Sequence, residues 1–532
     1  MRLSKSSLKD ALGGLPWFPE LYWQVRNPGR SISAKFDLTR LQNVLPGWVA
    51  DVIEARHGID RQSTAPKNVF LFATQRYWLE HVTLLGMAFA GQMHKVSLGY
   101  LPYAEWMKPL NRFDARRQSI YIYSVLSRAE PLLQLVPFLG MDKAAPLPGA
   151  LQQAIELTSL RDTQYTLQVE DVSTGSELYR LRLERNLQAA RIALGWLRSQ
   201  KPDVIVVPNG TILEFGAVYQ TARYLEIPTV TYEFGEQCGH LWLAQDGEVM
   251  RQETNDLWAA RGSRPLDAAQ IEQVQALFTA RQRASLWQNF ARRWQGTPSE
   301  GGAKVRTTLG LDARPVVLLA TNVIGDSLTL GRQVFSDSMT EWLERTVRWF
   351  AEHGEAQLII RIHPGELITK GPSVADVVRR AVPDLPPHIY LIPADAPLNT
   401  YDIVEVADLG LVYTTTVGME LAMSGVPAIA VGNTHYRGKG FTLDADSWNA
   451  YFEMLAKVLA DPQAYRLTRQ QVDLAWNYAY RFFFEYPHPF PWHLLHFWKD
   501  LQAWPLGRVL AAEGQEEFGE TLRYLCGEKV IW

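Results

Sequence analysis

The sequence predicts an α/β protein in which two doubly wound parallel sheets face each other across a cleft. Short apolar, β-branched runs at residues 69–73, 204–207, 228–232, 316–320, 357–362, 389–392, 409–413 and 427–431 alternate with helical stretches. That alternation demands parallel pairing with helical crossovers. Polar, glycine-bearing turns follow three of the late strands, at 361–366, 414–420 and 432–438. In such sheets the carboxyl edge is where ligands bind, with phosphate favoured at turns that lead into helices. At 532 residues the chain also needs more than one core. The expected architecture is therefore two Rossmann-like domains.

The elements follow in order. Residues 1–66, rich in Trp, Pro and Gly, read as an irregular N-terminal arm packed on the body. A first domain over 67–300 opens with a buried strand at 69–73, a helix to about Ala90 and a strand near Val96. A mainly helical insertion spans about 101–200, where residues 177–197 alternate Arg and Glu with Leu and Ala. A β-α-β unit comes next, with strands at 204–207 and 228–232 around a helix at 212–224. Pro-Ser-Glu-Gly-Gly-Ala at 298–303 is the best linker. A second domain over 304–462 begins with the strand at 316–320. Its next helix opens with a Ser338-x-x-Glu341 capping box, carries Leu343, Val347, Phe350 and Ala351 at helical spacing, and stops at Gly354. Residues 463–532 form a helical tail.

Composition narrows the function. Hydrophobic residues at 47% and charged residues at 20% describe a soluble globular chain, and the formal charge of −3 gives no electrostatic reason to expect nucleic acid. Two cysteines, Cys238 and Cys526, exclude a disulfide framework and a cysteine-based zinc site, and point to a reducing compartment. No run of about 18 apolar residues offers a bilayer span, and the first 20 residues lack the apolar core of a signal peptide, so a cytoplasmic location is expected. No metal-binding signature stands out, and neither a metal nor a cofactor is expected.

The turns carry the candidate chemistry. Arg361 and His363 are two apart, so they share a face while the strand persists, and Pro364 holds His363 extended. Thr414, Thr415 and Thr416 offer hydroxyls and N–H groups to phosphate oxygens, against the simpler role of capping the helix that follows. Gly418 would let a ligand approach the backbone. Glu420 either accepts from ribose hydroxyls or balances the helix dipole, and the two readings stand even. The loop at 321–327, with Asn322, Gly325 and Asp326, could touch phosphates or the transferred group, although it matches no named phosphate loop.

Taken together, Thr321-Asn322 with Asp326, Arg361-Ile362-His363-Pro364-Gly365-Glu366, Tyr413 through Gly418 with Glu420, and Gly432 through Gly440 resemble bacterial capsule polysaccharide biosynthesis proteins. These are two-domain GT-B-type glycosyltransferases with a His-Pro motif. The resemblance covers roughly 315–445 well and 203–236 loosely. It implies Arg361, His363, Thr414, Thr415, Thr416 and Glu420 as the donor site, and the expected site also takes in Asn322, Gly325, Asp326, Pro364, Glu366 and Gly418 from the same turns. The donor would be a nucleotide-sugar, with CMP and UDP both open, taken as substrate and not as cofactor. The acceptor would be a glycan or lipid-linked glycan, and peripheral association with membrane-bound polysaccharide machinery at the inner face of the membrane is compatible with this. It also implies that the tail packs back on the first domain.

Sugar transfer through an oxocarbenium-like state needs a base for the acceptor hydroxyl and stabilisation of the departing phosphate. Glu233, just after the strand at 228–232, leads as base because it resembles the family's Glu-x-Gly turn; Glu236 and then His240 follow. His363 could donate to the leaving oxygen. Asn209, Gly210, Thr211 and Glu214 are weaker acceptor contacts, equally readable as an ordinary helix start. The aromatic segment with Phe482, Phe483, Phe484, Tyr486, Phe490 and Trp492 either stacks on an acceptor or, the favoured reading, packs a core. A nucleotide-sugar epimerase or hydrolase of the same architecture, and a non-catalytic glycan-assembly scaffold, are the rival functions.

Overall fold

A computed structural model describes residues 5–58, 65–140, 146–288, 290 and 296–532. Residues 1–4 and 59–64 of the expected arm lie outside the described residues. The first half contributes β1 (Asn68–Ala73), β2 (Lys95–Tyr100), β3 (Leu133–Pro137), β4 (Val204–Pro208), β5 (Thr229–Glu233) and β6 (His240–Gln245). The second half contributes β7 (Val316–Ala320), β8 (Gln357–Arg361), β9 (Ile389–Ile392), β10 (Leu409–Val412), β11 (Ala428–Ala430) and β12 (Leu443–Asp444). The tail supplies β13 (His488–Pro489).

These strands form two sheets. The first runs β13-β6-β5-β4-β1-β2-β3, parallel from β3 to β5 and antiparallel at the β6 and β13 edge. The second runs β12-β11-β10-β7-β8-β9 and is parallel throughout. Counted from its first strand, the second sheet has the doubly wound order 3-2-1-4-5-6, and the parallel part of the first has 3-2-1-4-5. Strands β1, β4, β7 and β8 are almost wholly buried because helices cover both faces, which is why they read as unbroken apolar runs rather than alternating ones. The α/β expectation of two parallel-dominated sheets holds.

Three local expectations need correction. The arm is not irregular: helices cover Lys5–Gly14, Phe18–Arg26 and Thr39–Gly58, and the last buries Leu41, Leu45, Trp48 and Val52 in the first core. Prolines hid this, since Pro19 sits at the tolerated first turn and Pro46 lies within the long helix. The insertion at 101–200 is mainly helical as expected, and it also carries β3, a short edge strand beside β2 with little alternation to mark it. The segment 298–303 is not a free linker. The carboxylate of Asp402 accepts from Ser299 Oγ and from the backbone N–H groups of Glu300 (2.9 Å) and Gly301 (3.0 Å), which ties the segment to the second domain. The first domain also ends earlier than residue 300: Leu257, Val274, Leu277, Phe278 and Phe290 pack in the same core as β7 and β10.

The tail divides between the cores. Ala475, Tyr478, Phe482, Phe483 and Tyr486 join the second, whereas Phe490, Trp492, Phe497, Phe518 and Leu522 join the first. The aromatic segment is therefore mostly packed interior: Phe490 and Trp492 are fully buried. Two further links hold the halves together. Glu170, from the insertion, accepts from the N–H groups of Met339 (2.8 Å) and Thr340 (2.9 Å), capping the helix Met339–Glu352. Ser338 also caps this helix, but the Glu341 side chain reaches the Asp337 N–H instead of closing the expected box.

Candidate active site in the interdomain cleft

A doubly wound sheet opens a crevice at its switch point, outside the carboxyl ends of the two strands where the order reverses. In the second sheet that point lies between β7 and β10. Thr321 and Asn322 follow β7, Thr414 to Thr416 follow β10, and Asn322 Oδ1 accepts the Thr414 N–H at 3.1 Å across the crevice. His363 adjoins this pair, because its N–H donates to Thr321 Oγ1 at 3.1 Å. On the other flank Thr434 Oγ1 donates to the Thr414 carbonyl at 3.4 Å, and the Asn433 N–H donates to the Arg332 carbonyl at 2.8 Å. His363, Asn322, Thr414 and Arg332 thus belong to one contiguous rim. Thr414 Oγ1 is buried there without a hydrogen-bond partner.

His363 has a defined tautomer. Its Nδ1 accepts the Gly365 N–H at 2.9 Å, in the turn that Pro364 begins. In the neutral ring the proton therefore sits on Nε2. Thr415 is buried, its carbonyl accepting from the Tyr436 hydroxyl, and Thr416 Oγ1 donates to Glu420 at 3.3 Å.

Five members of the expected donor set are used otherwise. Arg361 is 4% exposed and donates to the Pro393 carbonyl; burial lowers its pKa to about 10, against the nearby Asp395. The shared face with His363 fails because β8 ends at Arg361 and His363 already lies in the turn. Glu420 is buried in an ion pair with Arg281, so neither ribose binding nor simple dipole balance describes it. Glu366 accepts the Val374 N–H at 3.1 Å and holds the next helix. At Gly418 a Cβ would lie 2.4 Å from the Tyr436 hydroxyl, so the glycine admits that tyrosine and not a ligand. Gly325, at φ +70°, packs on the first domain, where a Cβ would meet the Val169 nitrogen at 2.4 Å. Asp326 stays beside the cleft, accepting from Ser327 Oγ at 3.2 Å.

Across the cleft the first sheet presents its own switch point, between β1 and β4, with Thr74 and Gln75 after one strand and Asn209 and Gly210 after the other. Glu233 ends the adjacent β5. Asn209 Nδ2 donates to Glu233 Oε2 at 2.8 Å, and the Phe234 N–H donates to Oε1 at 3.0 Å. Burial nevertheless raises the Glu233 pKa, with these two hydrogen bonds opposing. Its charge acts on Tyr77 and on Tyr165, and Tyr165 also feels Asp326 from the second domain. Tyr165 therefore lies within electrostatic reach of a carboxylate from each half.

The other acidic and basic candidates fall away from this position. Glu236, on the turn after β5, acts electrostatically on Arg281. His240 directs Nδ1 to the Cys238 carbonyl at 3.2 Å, and Glu214 is buried 3.4 Å from Arg182. A raised carboxyl gives a pH test. Asn209→Ala removes a bond that lowers the Glu233 pKa, so the acid limb of kcat/KM should move to higher pH, read from a rate profile; an unmoved limb would remove Glu233 from the titrating step.

Between the two halves lies a cleft lined by Arg161, Tyr165, Thr211, Arg251, Ser327 and Arg332 among others, about 430 Å³ with the solvent at its open mouth included; Glu233, Asn322, His363 and Thr414 adjoin it without forming its lining. Arg332 spans it, donating to the carbonyls of Asn433 (3.2 Å) and Met250. Three arginines against one lining carboxylate, Glu248, make the space suited to an anion. Sequence reading missed Arg161, Tyr165, Arg251 and Arg332. Arg161 and Tyr165 are four apart in the helix Gly149–Leu167, a same-face spacing that says nothing until one knows which face meets the cleft.

No protein-family model matches the chain, and no curated protein matches it. Solved structures show distant likeness. A β-Kdo 2,4-transferase, KpsC of Thermosulfurimonas dismutans, is 17% identical over 55% of this chain and 83% of that one, with a TM-score of 0.36. The UDP-GlcNAc 2-epimerase of Neisseria meningitidis is 12% identical over 79% and 98%, with a TM-score of 0.25. The calicheamicin glycosyltransferase CalG4 is 13% identical over 84% and 100%, with a TM-score of 0.26.

Proposed function

We propose that this chain is a GT-B-type glycosyltransferase of surface or capsular polysaccharide assembly, moving a sugar from a CMP- or UDP-linked donor to a glycan acceptor. The observation that carries the reading is that the carboxyl edges of the two sheets hold unlike groups. One holds a carboxyl of raised pKa, Glu233; the other holds a hydroxyl, amide and imidazole rim, Thr414 with Asn322 and His363. The donor phosphate occupies the rim, with Arg161, Arg251 and Arg332 supplying positive charge. His363 Nε2–H donates to the departing phosphate oxygen. Glu233 accepts the proton of the acceptor hydroxyl as that oxygen attacks the anomeric carbon.

A thermal-shift panel of CMP, UDP and GDP tests the donor half. A ligand at a hundred times its Kd stabilises by about 2.7 kcal/mol, so one nucleotide should raise the unfolding temperature clearly above the others. No shift with any of them would favour a non-catalytic scaffold. Conversion of the stabilising donor without acceptor would favour an epimerase or hydrolase.

A further inference from the structure

The helix Phe18–Arg26 wears its apolar stripe outward. Trp17, Phe18, Leu21, Tyr22 and Val25 follow one another at helical spacing; Trp17 is 76%, Leu21 58% and Val25 76% exposed, while Phe18 and Tyr22 keep one side open and pack the other on Phe113. Its other side is already satisfied: Trp23 is buried with its indole N–H on the Arg30 carbonyl at 3.0 Å, and Glu20 pairs with Arg116. Leu8 and Leu15, also exposed, extend the apolar surface into the preceding helix Lys5–Gly14. A stripe of this kind on the surface marks a contact with something else.

Charge selects the partner. Residues 5–30 carry four Lys or Arg and two Asp or Glu, in a chain whose total charge is −3. Asp10 is exposed but accepts the Arg112 N–H at 2.8 Å, Glu20 holds Arg116 and Lys9 pairs with Asp114, whereas Arg26 and Arg30 are exposed. Exposed Trp, Tyr, Leu and Val beside unpaired surface arginines suit the interface of a bilayer with anionic head groups. We infer that the helix pair 5–26 is a docking surface for an anionic phospholipid membrane. The pair packs on the start of the helix Arg112–Leu126, which follows the loop after β2 and so lies at the carboxyl edge of the first sheet, the edge that carries Glu233. Docking stands on the stripe and its charge alone. That it brings a lipid-linked acceptor to the cleft rests on the transferase reading.

Co-sedimentation of the full chain with vesicles tests it. Wild type should pellet with phosphatidylglycerol/phosphatidylcholine vesicles, and should stay in solution with phosphatidylcholine alone. W17E/L21E/V25E should lose about tenfold or more of that partitioning, and R26Q/R30Q or 0.5 M salt should weaken it about tenfold. All these positions are exposed, so unfolding temperature and any nucleotide-induced shift should match wild type; a nucleotide panel that fails in both proteins would count against the transferase reading and leave docking standing. Wild type that ignores anionic vesicles, or a triple variant that still pellets, would overturn the inference. So would a wild-type dimer on size exclusion that the triple variant splits while neither binds vesicles, since the stripe would then be covered by a second copy.

Discussion

Glu233→Gln should lower the rate of sugar transfer by about 10²–10⁴-fold while leaving the nucleotide-induced thermal shift intact. By the usual conversion that is about 2.7–5.4 kcal/mol of transition-state stabilisation. The size follows from the role: glutamine keeps the volume but cannot take a proton from the acceptor hydroxyl. Stability should hardly change, because two effects oppose. In the wild type the folded pKa lies above the unfolded one, so the native state binds the extra proton and stability falls as pH rises from the ordinary carboxylate range through the raised value. Glutamine removes that cost. It also replaces one of the two oxygens that accept from Asn209 and the Phe234 N–H. The measurement is a transfer assay beside a thermal-shift titration with the same donor. Undiminished transfer would return the base role to Glu236, whose substitution should otherwise act through the Arg281 cluster.

The fold was legible where burial on both faces leaves no choice of pattern. Strands such as β4 and β7 must be continuous apolar runs, and their alternation with helices forces the parallel order. The antiparallel edge was not legible: β13 is a two-residue strand whose partner, β6, lies more than two hundred residues earlier. At the site, positions set by the sheet's topology could be read. Asn322, Thr414 and His363 follow strands that end at one edge, and they form one rim. Side-chain direction beyond the strand could not be read. Arg361 reads as equivalent to His363 but turns to the Pro393 carbonyl, and the loop at Gly325 reads as able to touch phosphates although Gly325 fits the backbone at residue 169. Such outcomes depend on which surface arrives from the other domain, and one chain segment contains no record of that.

Arg281→Met should destabilise the protein by about 3–5 kcal/mol, the range for breaking a buried ion pair from one side. Arg281 and Glu420 are 1% and 6% exposed, so losing the guanidinium leaves a carboxylate in the interior, beside the buried Tyr401. Loss of packing is the smaller part. The guanidinium lies 5.0 Å from the Phe278 ring and 4.6 Å from the Phe483 ring, and methionine can refill much of that space against them. The double change Arg281→Met with Glu420→Leu should therefore recover most of the loss, since no unpaired charge remains. Urea unfolding of the four proteins measures both numbers. The same set separates structure from ligand contact. A ribose-binding Glu420 would lose nucleotide affinity in the double variant even with stability restored, whereas a carboxylate that only anchors the helix Arg281 comes from would leave the thermal shift in place. The buried geometry places Glu420 in the second class, and the turn of threonines before it keeps its shape because that pair holds the helix start against the second core.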